Sequence, residues 1–424
     1  MGHDINKSPA AIMHIDLNSA FATTEQQAHP SLRGKPLGVT NRLSKHCCVI
    51  AASYEAKARG VKVGMRLDEA QALIPGFIML EADPQKYHHV YQVLARIMKS
   101  YSPIVQMKSI DEGIIDFRGT ESYHGHRSLE RIGYDIKKRV REEIGSWMRI
   151  NVGIGPNRFL AKQAASWHKP DGLDTIDWRN LHAYYRSIQL TDLTGIASHF
   201  EARLQSAGIY TPIDFLKATA DTLRRTVFRS VIGEDWHQRL RGHEVDDQPT
   251  KLGSVGRQFV LDVRSDDDET ILPRFQYLCE TTGKKLRYNG CDARGIVVWA
   301  TFQTGDSWQQ RKMFKTTFYT DRDIYQRALY LFNQRPRHLI IVSMGITCCK
   351  LSPTARQQSS LFASINRQEW LAEAVDTINE RYGSFMISSA QAFVGKHAVQ
   401  QKIPFGGTKY FELLLGRSDH SIDD

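Results

Sequence analysis

Short apolar runs alternate with stretches of helical periodicity through the first 170 residues of the chain. The runs at 11–18, 36–39, 48–52 and 149–155 predict strands. The stretch 84–101 has apolar residues three and four positions apart, which predicts a helix. A mixed order of strands and helices is typical of a sheet with helices packed on it. We therefore expect an α+β fold for this part of the chain.

An acidic hairpin is predicted at residues 107–117, where two apolar segments flank Asp111, Glu112 and Gly113. Neighbouring side chains on a regular strand point to opposite faces, but a hairpin tip relaxes this rule, so the two carboxylates can converge. A hard divalent cation such as Mg²⁺ prefers such oxygen ligands. An acidic turn facing solvent explains the same residues unless a second acidic site lies nearby.

Asp16 is the candidate for that second site, because the apolar run before it places its carboxylate at a strand end. A helix is predicted from 19 to 28, so Asp16 is either its cap or a second metal-binding acid. Phe21 lies just inside this helix, where a phenylalanine is ordinarily a core residue.

Two pairs of polar residues are spaced so that each pair can share a helix face. Tyr54 and Lys57 are three apart near the start of a helix predicted at 53–59, and a helix N-terminus attracts anions. Lys162 and Lys169 are seven apart, so they lie on one side of a helix if that helix reaches Lys169. Ordinary solvated helix surfaces explain both pairs equally well.

The second half of the chain predicts a separate small domain. Residues 193–207 resemble a helix-hairpin-helix, and the polar stretch 241–254 lacks apolar periodicity, as a linker does. Beyond it, residues 255–349 follow the order β-α-β-β-α-β. Residues 251–350 contain 16 Lys and Arg against 10 Asp and Glu, so this domain is basic. A further helix is predicted at 366–382.

Composition narrows the class of protein. A chain of 424 residues is long enough for two to four domains, and its net charge of +10 favours polyanion partners, most often nucleic acid. The six cysteines form no C-x-x-C pair, so neither a zinc site nor a disulfide framework is indicated. Residues 1–10 predict an unstructured leader. Without a signal-peptide layout or a membrane-length apolar run, we expect a cytoplasmic protein with no membrane contact.

Four motifs in this order resemble those of the Y-family (translesion) DNA polymerases, nearest to the bacterial DNA polymerase IV group. They are HIDLNSAFA at 14–22, ASYEAK at 52–57, SIDE at 109–112, and LAK at 160–162 followed by KPDG at 169–172. Each motif alone is modest evidence, but together they are highly specific. The resemblance covers residues 11–350.

The resemblance implies a right-hand polymerase fold with an extra DNA-gripping domain. The expected parts are a palm at 11–19 and 84–176, fingers at 20–83, a helical thumb with the helix-hairpin-helix at 177–243, a linker at 244–254, a basic little finger at 255–350, and a tail at 351–424.

It also implies roles for single residues. Asp16, Asp111 and Glu112 match the family's metal-binding carboxylates, with the Leu17 carbonyl as a further ligand. Two Mg²⁺ ions held there would bridge the attacking 3′ oxygen of the primer and the triphosphate, and pyrophosphate would be released. Phe21 matches the steric gate, whose ring fills the space that a ribose 2′-OH needs.

The implied substrates are primer–template DNA and a dNTP. Tyr54, Lys57 and Lys169 match positions that contact the incoming triphosphate. Lys57 stands where the family often has Arg. The bidentate guanidinium contact with phosphate is then replaced by the point charge of an ammonium group. Ala20 replaces a larger residue, and Gly113 replaces Ala. Residues 195–197 lack the second glycine of the usual hairpin, which puts one DNA backbone contact in doubt.

A short motif in the tail resembles the pentapeptide by which bacterial polymerases dock on the sliding clamp. Gln358 opens it, and Leu361 and Phe362 would supply the apolar anchors. We expect the sliding clamp to be a partner and the enzyme itself to be a monomer.

The leading interpretation is a low-fidelity DNA polymerase acting in translesion synthesis and DNA repair. A non-catalytic, polymerase-like adaptor that binds DNA and the clamp is the main alternative, although such a protein would be expected to lose the carboxylates. A nucleotide cyclase would explain the acids, but not the thumb-like hairpin, the basic domain or the tail.

Overall fold

A computed structural model describes residues 4–44, 47–120, 127–247, 251–354, 363–383 and 385–398. The clamp-like residues Gln358, Leu361 and Phe362 lie outside the described residues. The chain divides into two compact units, one containing the described residues up to 247 and the other those from 251 onward. Among the helices that can be described, none is both long and apolar enough to cross a membrane.

The first unit is built on a five-stranded sheet with the order β5-β6-β1-β7-β8. β1 pairs antiparallel with both β6 and β7, and β7 runs parallel to β8. The strands are β1 (Ile12–Leu17), β5 (Val105–Met107), β6 (Glu112–Asp116), β7 (Ile150–Gly155) and β8 (Leu173–Thr175). β5 and β6 form the predicted acidic hairpin.

Four helices accompany this sheet: α1 (Ala20–Ala28), α4 (Pro84–Lys99), α5 (Leu129–Glu143) and α6 (Arg158–Trp167). The helix predicted from apolar spacing is confirmed in α4, whose N-terminus is capped by the Asp83 carboxylate. α6 lies unusually close to β7, because a Cβ at Gly153 would run into the backbone carbonyl of Ala161 and one at Gly155 would lie 2.6 Å from the Ala161 nitrogen. Glycine is therefore what allows this close approach.

A small three-stranded sheet stands between α1 and α4 in the chain, with the order β3-β2-β4. Its strands are β2 (Leu37–Thr40), β3 (Ala51–Ala52) and β4 (Ile78–Glu81), and its helices are α2 (Tyr54–Lys57) and α3 (Leu67–Leu73). The helix predicted at 53–59 is shorter than expected. Ser53 is its N-cap, with a side chain that accepts the Ala56 N–H, and the chain leaves the helix before Gly60, whose φ is +93°.

The rest of the first unit is helical. It comprises α7 (Leu181–Ser187), α8 (Ser198–Ser206), α9 (Pro212–Lys217), α10 (Ala220–Thr222), a π-helical turn (Leu223–Phe228) and α11 (Ile232–Leu240). Phe215 and Trp236 lie at the centre of its core. The turn before α8 contains Gly195 with φ +99°, a conformation that suits glycine.

The prediction of an unstructured leader is wrong for residues 4–7. The Asn6 backbone N–H donates to the Arg241 carbonyl at 2.8 Å, and its side-chain amide donates to the Gly242 carbonyl at 2.9 Å. Ile5 packs on the helical core, and the Lys7 ammonium lies 5.9 Å from the centroid of the Trp178 ring. One apolar side chain and two hydrogen bonds, one from the backbone and one from the side chain of Asn6, hold this short segment, and periodicity alone does not reveal them.

The second unit confirms the predicted β-α-β-β-α-β order. Its elements are β9 (Ser254–Ser265), α12 (Asp268–Tyr288), β10 (Cys291–Phe302), β11 (Ser307–Phe318), α13 (Asp321–Phe332) and β12 (Ile341–Pro353). The four strands form an antiparallel sheet in the order β11-β10-β12-β9. Its core includes Phe275 and Phe332, whose rings stack with centroids 4.2 Å apart.

Two more helices continue this unit, α14 (Ala363–Tyr382) and α15 (Ala390–Ala398). α15 packs on α12, since Ala392 is fully buried and a Cβ at Gly395 would press into the Pro273 carbonyl. Arg287 of α12 binds the Asp376 carboxylate of α14 at 2.5 and 3.0 Å. The described residues of the tail are therefore part of the folded unit.

The close approach of α6 to β7 generates the first prediction. We expect Gly153→Ala to lower the free energy of unfolding by about 1–3 kcal/mol, because the added methyl group forces backbone apart. Urea denaturation of the parent and the variant measures this difference.

Gly253→Ala is the matched control, since a Cβ at Gly253 would meet nothing within 4 Å. Equal stability of the two variants would show that α6 can shift without cost.

Candidate active site

The register of β1 places two of the predicted acids side by side. Asp16 pairs directly with Glu112 on β6 and with Asn151 on β7. Asp111 immediately precedes β6, and its carbonyl accepts the Leu17 N–H at 2.8 Å. The structure thus brings residues from two distant parts of the chain to one end of the central strands.

Glu112 is held by two donors. The Lys162 ammonium donates to both of its oxygens, at 2.7 and 3.0 Å, and the Nε2 of His14 lies 3.2 Å from Oε2. Burial alone would raise the pKa of Glu112, but the hydrogen bonds from His14 and Lys162 outweigh it and lower the pKa to about 2. Glu112 is therefore a fixed anion at neutral pH.

Asp111 lies in the opposite electrostatic situation. Its Oδ1 accepts the Ser109 hydroxyl at 2.5 Å. Burial, together with the negative charges of Asp16 and Glu112, raises its pKa above the ordinary value of 3.8. Crowded carboxylates that repel one another are the donor set that a divalent cation binds and stabilises, so these residues fit a metal site.

A cleft with a volume of about 260 Å³ adjoins the acids. Its polar lining consists of two of the acids, Asp16 and Asp111, together with the predicted phosphate-binding residues Tyr54, Lys57 and Lys169, and Ser19. Its remaining lining is apolar and includes Leu17, Ala20, Phe21, Ile50, Ala51, Ala52, Val63 and Ile110. A cleft with cations, acids and apolar walls suits a ligand that has both a phosphate chain and a flat apolar group.

Two lysines reach into this cleft. The Lys169 ammonium donates to Asp16 Oδ2 at 2.6 Å, and the Lys57 ammonium donates to the Ser19 hydroxyl at 2.7 Å. Burial and the positive charge of Lys169 lower the pKa of Lys57. Burial and the charge of Asp16 raise the pKa of Tyr54 to about 12, so its hydroxyl stays a hydrogen-bond donor at neutral pH.

The structure decides two points that the sequence leaves open. α6 ends at Trp167, so Lys169 lies in the following loop and does not share a helix face with Lys162. A residue before proline disfavours the helical conformation, and Pro170 follows Lys169. The capping alternative for Asp16 also fails, because the N-cap position of α1 is Ser19 and no side chain caps it.

The Phe21 ring is held in place by a neighbouring aromatic side chain. Phe21 is 5% exposed and lines the cleft, and its ring stacks on Tyr87 with centroids 4.4 Å apart. The Tyr87 hydroxyl donates to buried Glu25 at 2.8 Å, and the Lys86 ammonium donates to the other Glu25 oxygen. Phe21 is therefore both a packed residue and a wall of the cleft.

Several residues of the site were not predicted from the sequence. His14 lies two positions before Asp16, so strand periodicity alone placed it on the same face. No comparable sequence pattern indicated that Ser109 contacts Asp111 or that Tyr87 stacks on Phe21. Their roles depend on contacts made across elements.

The family models match most of the chain. The impB/mucB/samB family model matches residues 15–166, and the model of the C-terminal domain of that family matches residues 253–361. DNA polymerase IV of Moorella thermoacetica is 32% identical over 399 residues, which cover 92% of this chain and 97% of that protein. DNA polymerase IV 1 of Bacillus subtilis is 27% identical over 390 residues, which cover 89% of this chain and 91% of that one.

Solved structures share the fold. A chimera of the Y-family DNA polymerases Dbh and Dpo4 matches with a TM-score of 0.68 and 22% identity, covering 81% of this chain and 99% of that chain. DinB from Sulfolobus solfataricus matches with a TM-score of 0.52 and 22% identity, covering 80% and 98%. The expected α+β, right-hand fold is confirmed.

The burial of Asp111 and the negative charges around it predict a gain in stability when its own charge is removed. Asp111→Asn keeps the shape of the side chain, so we expect it to be more stable than the parent at neutral pH in the presence of EDTA. Because the folded-state pKa of Asp111 is raised, protonation stabilises the parent at low pH, and this contribution is lost as the pH rises through that pKa. Urea unfolding over a pH series measures the difference.

The advantage of the variant should shrink as the pH falls towards the ordinary carboxyl pKa of 3.8. A variant no more stable than the parent at neutral pH would show that the ionised Asp111 carboxylate does not destabilise the fold.

Proposed function

This chain belongs to the impB/mucB/samB family, the Y-family DNA polymerases of the DNA polymerase IV type, and from that premise we propose how its cleft works. It is a DNA-directed DNA polymerase that acts in translesion synthesis. The adaptor alternative is not favoured, since Asp16, Asp111 and Glu112 are all present. Nor is the cyclase alternative, because the family's C-terminal domain is matched as well.

We propose that Asp16, Asp111, Glu112 and the Leu17 carbonyl hold two Mg²⁺ ions. Such ions stabilise negative charge on the attacking and leaving oxygens during in-line displacement at a phosphate. The convergence of the three acids supports this proposal, as does the pKa of Asp111, which is raised by burial and by the charges of Asp16 and Glu112. Glu112 remains ionised throughout, because its pKa is about 2.

The cations of the cleft would then bind the triphosphate of the incoming dNTP. We assign this role to Tyr54, Lys57 and Lys169, which line the same cleft as Asp16 and Asp111. Tyr54 contributes a neutral O–H donor, and each lysine contributes a point charge. Positioning and charge stabilisation are the main contributions a protein makes to phosphoryl transfer, and this set of residues supplies both.

Phe21 would exclude ribonucleotides. The ring is packed on Tyr87, so displacing it would cost packing energy. A 2′-OH on the sugar would therefore clash with it. This proposal rests on the place of Phe21 in the cleft wall and on its low exposure.

The expected domains and partners complete the proposal. We assign the palm to 11–19 and 84–176, the fingers to 20–83, the thumb to 177–243 and the little finger to 255–350. Primer–template DNA is the proposed macromolecular substrate. From the sequence alone, we propose that Gln358, Leu361 and Phe362 dock on the sliding clamp, and that the enzyme acts as a monomer in the cytoplasm.

The observation that carries this function is the meeting of Asp16, Asp111 and Glu112 beside a cationic cleft, and substitution of Asp111 tests it. Asp111→Ala should lower primer extension with Mg²⁺ and dNTPs by about a thousandfold or more, because a metal ligand is lost. DNA binding should stay intact, since Asp111 is not proposed to contact DNA. Gel-based extension and fluorescence anisotropy measure the two properties.

Glu142→Ala is a matched control, because the side chain of this acid of α5 is 59% exposed and has no proposed role in the cleft. Extension at the parent's rate by the Asp111 variant would contradict the proposal, and loss of folding would make Asp111 structural.

Removal of the ring at position 21 should admit ribonucleotides. We expect the ratio of kcat/KM for dNTP to that for rNTP to fall by roughly 10–200-fold in Phe21→Ala, because the space for the 2′-OH is opened. Single-nucleotide insertion assays with both substrates measure this ratio, and unfolding curves check the loss of packing on Tyr87. Unchanged sugar discrimination in a folded variant would rule out Phe21 as the gate.

A further inference from the structure

His14 is a buried polar residue at the metal site to which the function above gives no role. It lies in the middle of β1, is 1% exposed, and is flanked in register by Ile114 on β6 and Gly153 on β7. Because alternate residues of a strand share a face, His14 lies on the same face as Asp16. Its Nε2 lies 3.2 Å from Glu112 Oε2.

The surroundings of the ring select one tautomer. The Nδ1 atom is buried, and it has no hydrogen-bond partner in the part of the chain that the structure describes. A proton on Nδ1 would leave a buried N–H unpaired and would aim the Nε2 lone pair at a carboxylate oxygen. The proton therefore belongs on Nε2, where the N–H donates to Glu112.

A second donor reaches the same carboxylate from another element. Lys162 of α6 contacts both oxygens of Glu112, and the close approach of α6 at Gly153 and Gly155 brings its ammonium there. Glu112 is thus held from the strand by His14 and from the helix by Lys162. The lysine side chain is long, flexible and 33% exposed, whereas the imidazole is 1% exposed and held within β1.

We propose that His14 is a positioning residue for Glu112. Its Nε2–H holds Oε2 of the carboxylate, so that a divalent cation binds Glu112 without reorienting the side chain. Donors of this kind behind a metal ligand commonly change metal affinity 10–100-fold. The inference rests on the proposed function, because it takes Glu112 to be a metal ligand.

Two substitutions in the full-length chain test this role. His14→Gln keeps an N–H near the position of Nε2, whereas His14→Leu has a similar size and no donor. The probe is Mn²⁺, titrated by electron paramagnetic resonance without DNA or nucleotide. We expect His14→Leu to weaken Mn²⁺ binding by about 10–100-fold and His14→Gln to restore most of it.

Stability separates positioning from a purely structural role. Lys162 still contacts both oxygens of Glu112 when His14 is replaced, so we expect His14→Leu to fold with at most a modest loss of stability. Lost Mn²⁺ affinity in a folded variant then identifies positioning. If His14→Leu does not fold, His14→Phe, which resembles imidazole in shape and has no N–H, replaces it. Parental Mn²⁺ affinity in the donor-free variant, or glutamine performing no better than leucine, would overturn the inference.

Pulsed electron paramagnetic resonance on the same samples tests a rival role. Hyperfine coupling of Mn²⁺ to a ¹⁴N nucleus that disappears in His14→Leu would make His14 a direct ligand and overturn the positioning role. Asp111→Ala distinguishes this failure from failure of the proposed function. If Asp111→Ala loses metal binding and extension while His14→Leu binds like the parent, only the inference about His14 fails.

Discussion

The pairing register between β1 and β6 is the constraint on which the candidate active site depends. It sets Asp16 directly beside Glu112, with Asp111 one residue away at the hairpin tip. Side chains alternate between faces with a period of two, so a slip of one residue would turn Asp16 towards the opposite side of the sheet. Ile12 and Ile15 are fully buried, and their burial on the two faces of β1 resists such a slip.

This register brings like charges together, and the surrounding residues stabilise the individual carboxylates to different extents. Glu112 accepts hydrogen bonds from His14 and Lys162, which stabilise its anion. Asp111 accepts one from the Ser109 hydroxyl, and burial and neighbouring charges still raise its pKa. Unequal pKa values in one cluster are typical of functional sites. The cluster is thus arranged for binding a cation, at some expense to the stability of the protein on its own.

The second unit shows how far local pattern can predict a structure. Its alternating strands and amphipathic helices were predicted to within a few residues, because each element carries its own periodicity. The packing of α14 and α15 on it was not predicted. That packing depends on Arg287 meeting Asp376 and on the small residues Ala392 and Gly395 fitting against α12, and these contacts join distant positions in the sequence.

The sequence by itself determined the family, the order of elements and the three acids, because motif spacing and hydrophobic periodicity are local properties. Only the tertiary structure decided which cations meet those acids. Lys169 reaches Asp16 from a loop, and Lys162 reaches Glu112 only because glycines in β7 let α6 approach. The reason is that hydrogen bonds between distant residues depend on the distance between packed elements, and no periodicity along a single chain encodes that distance.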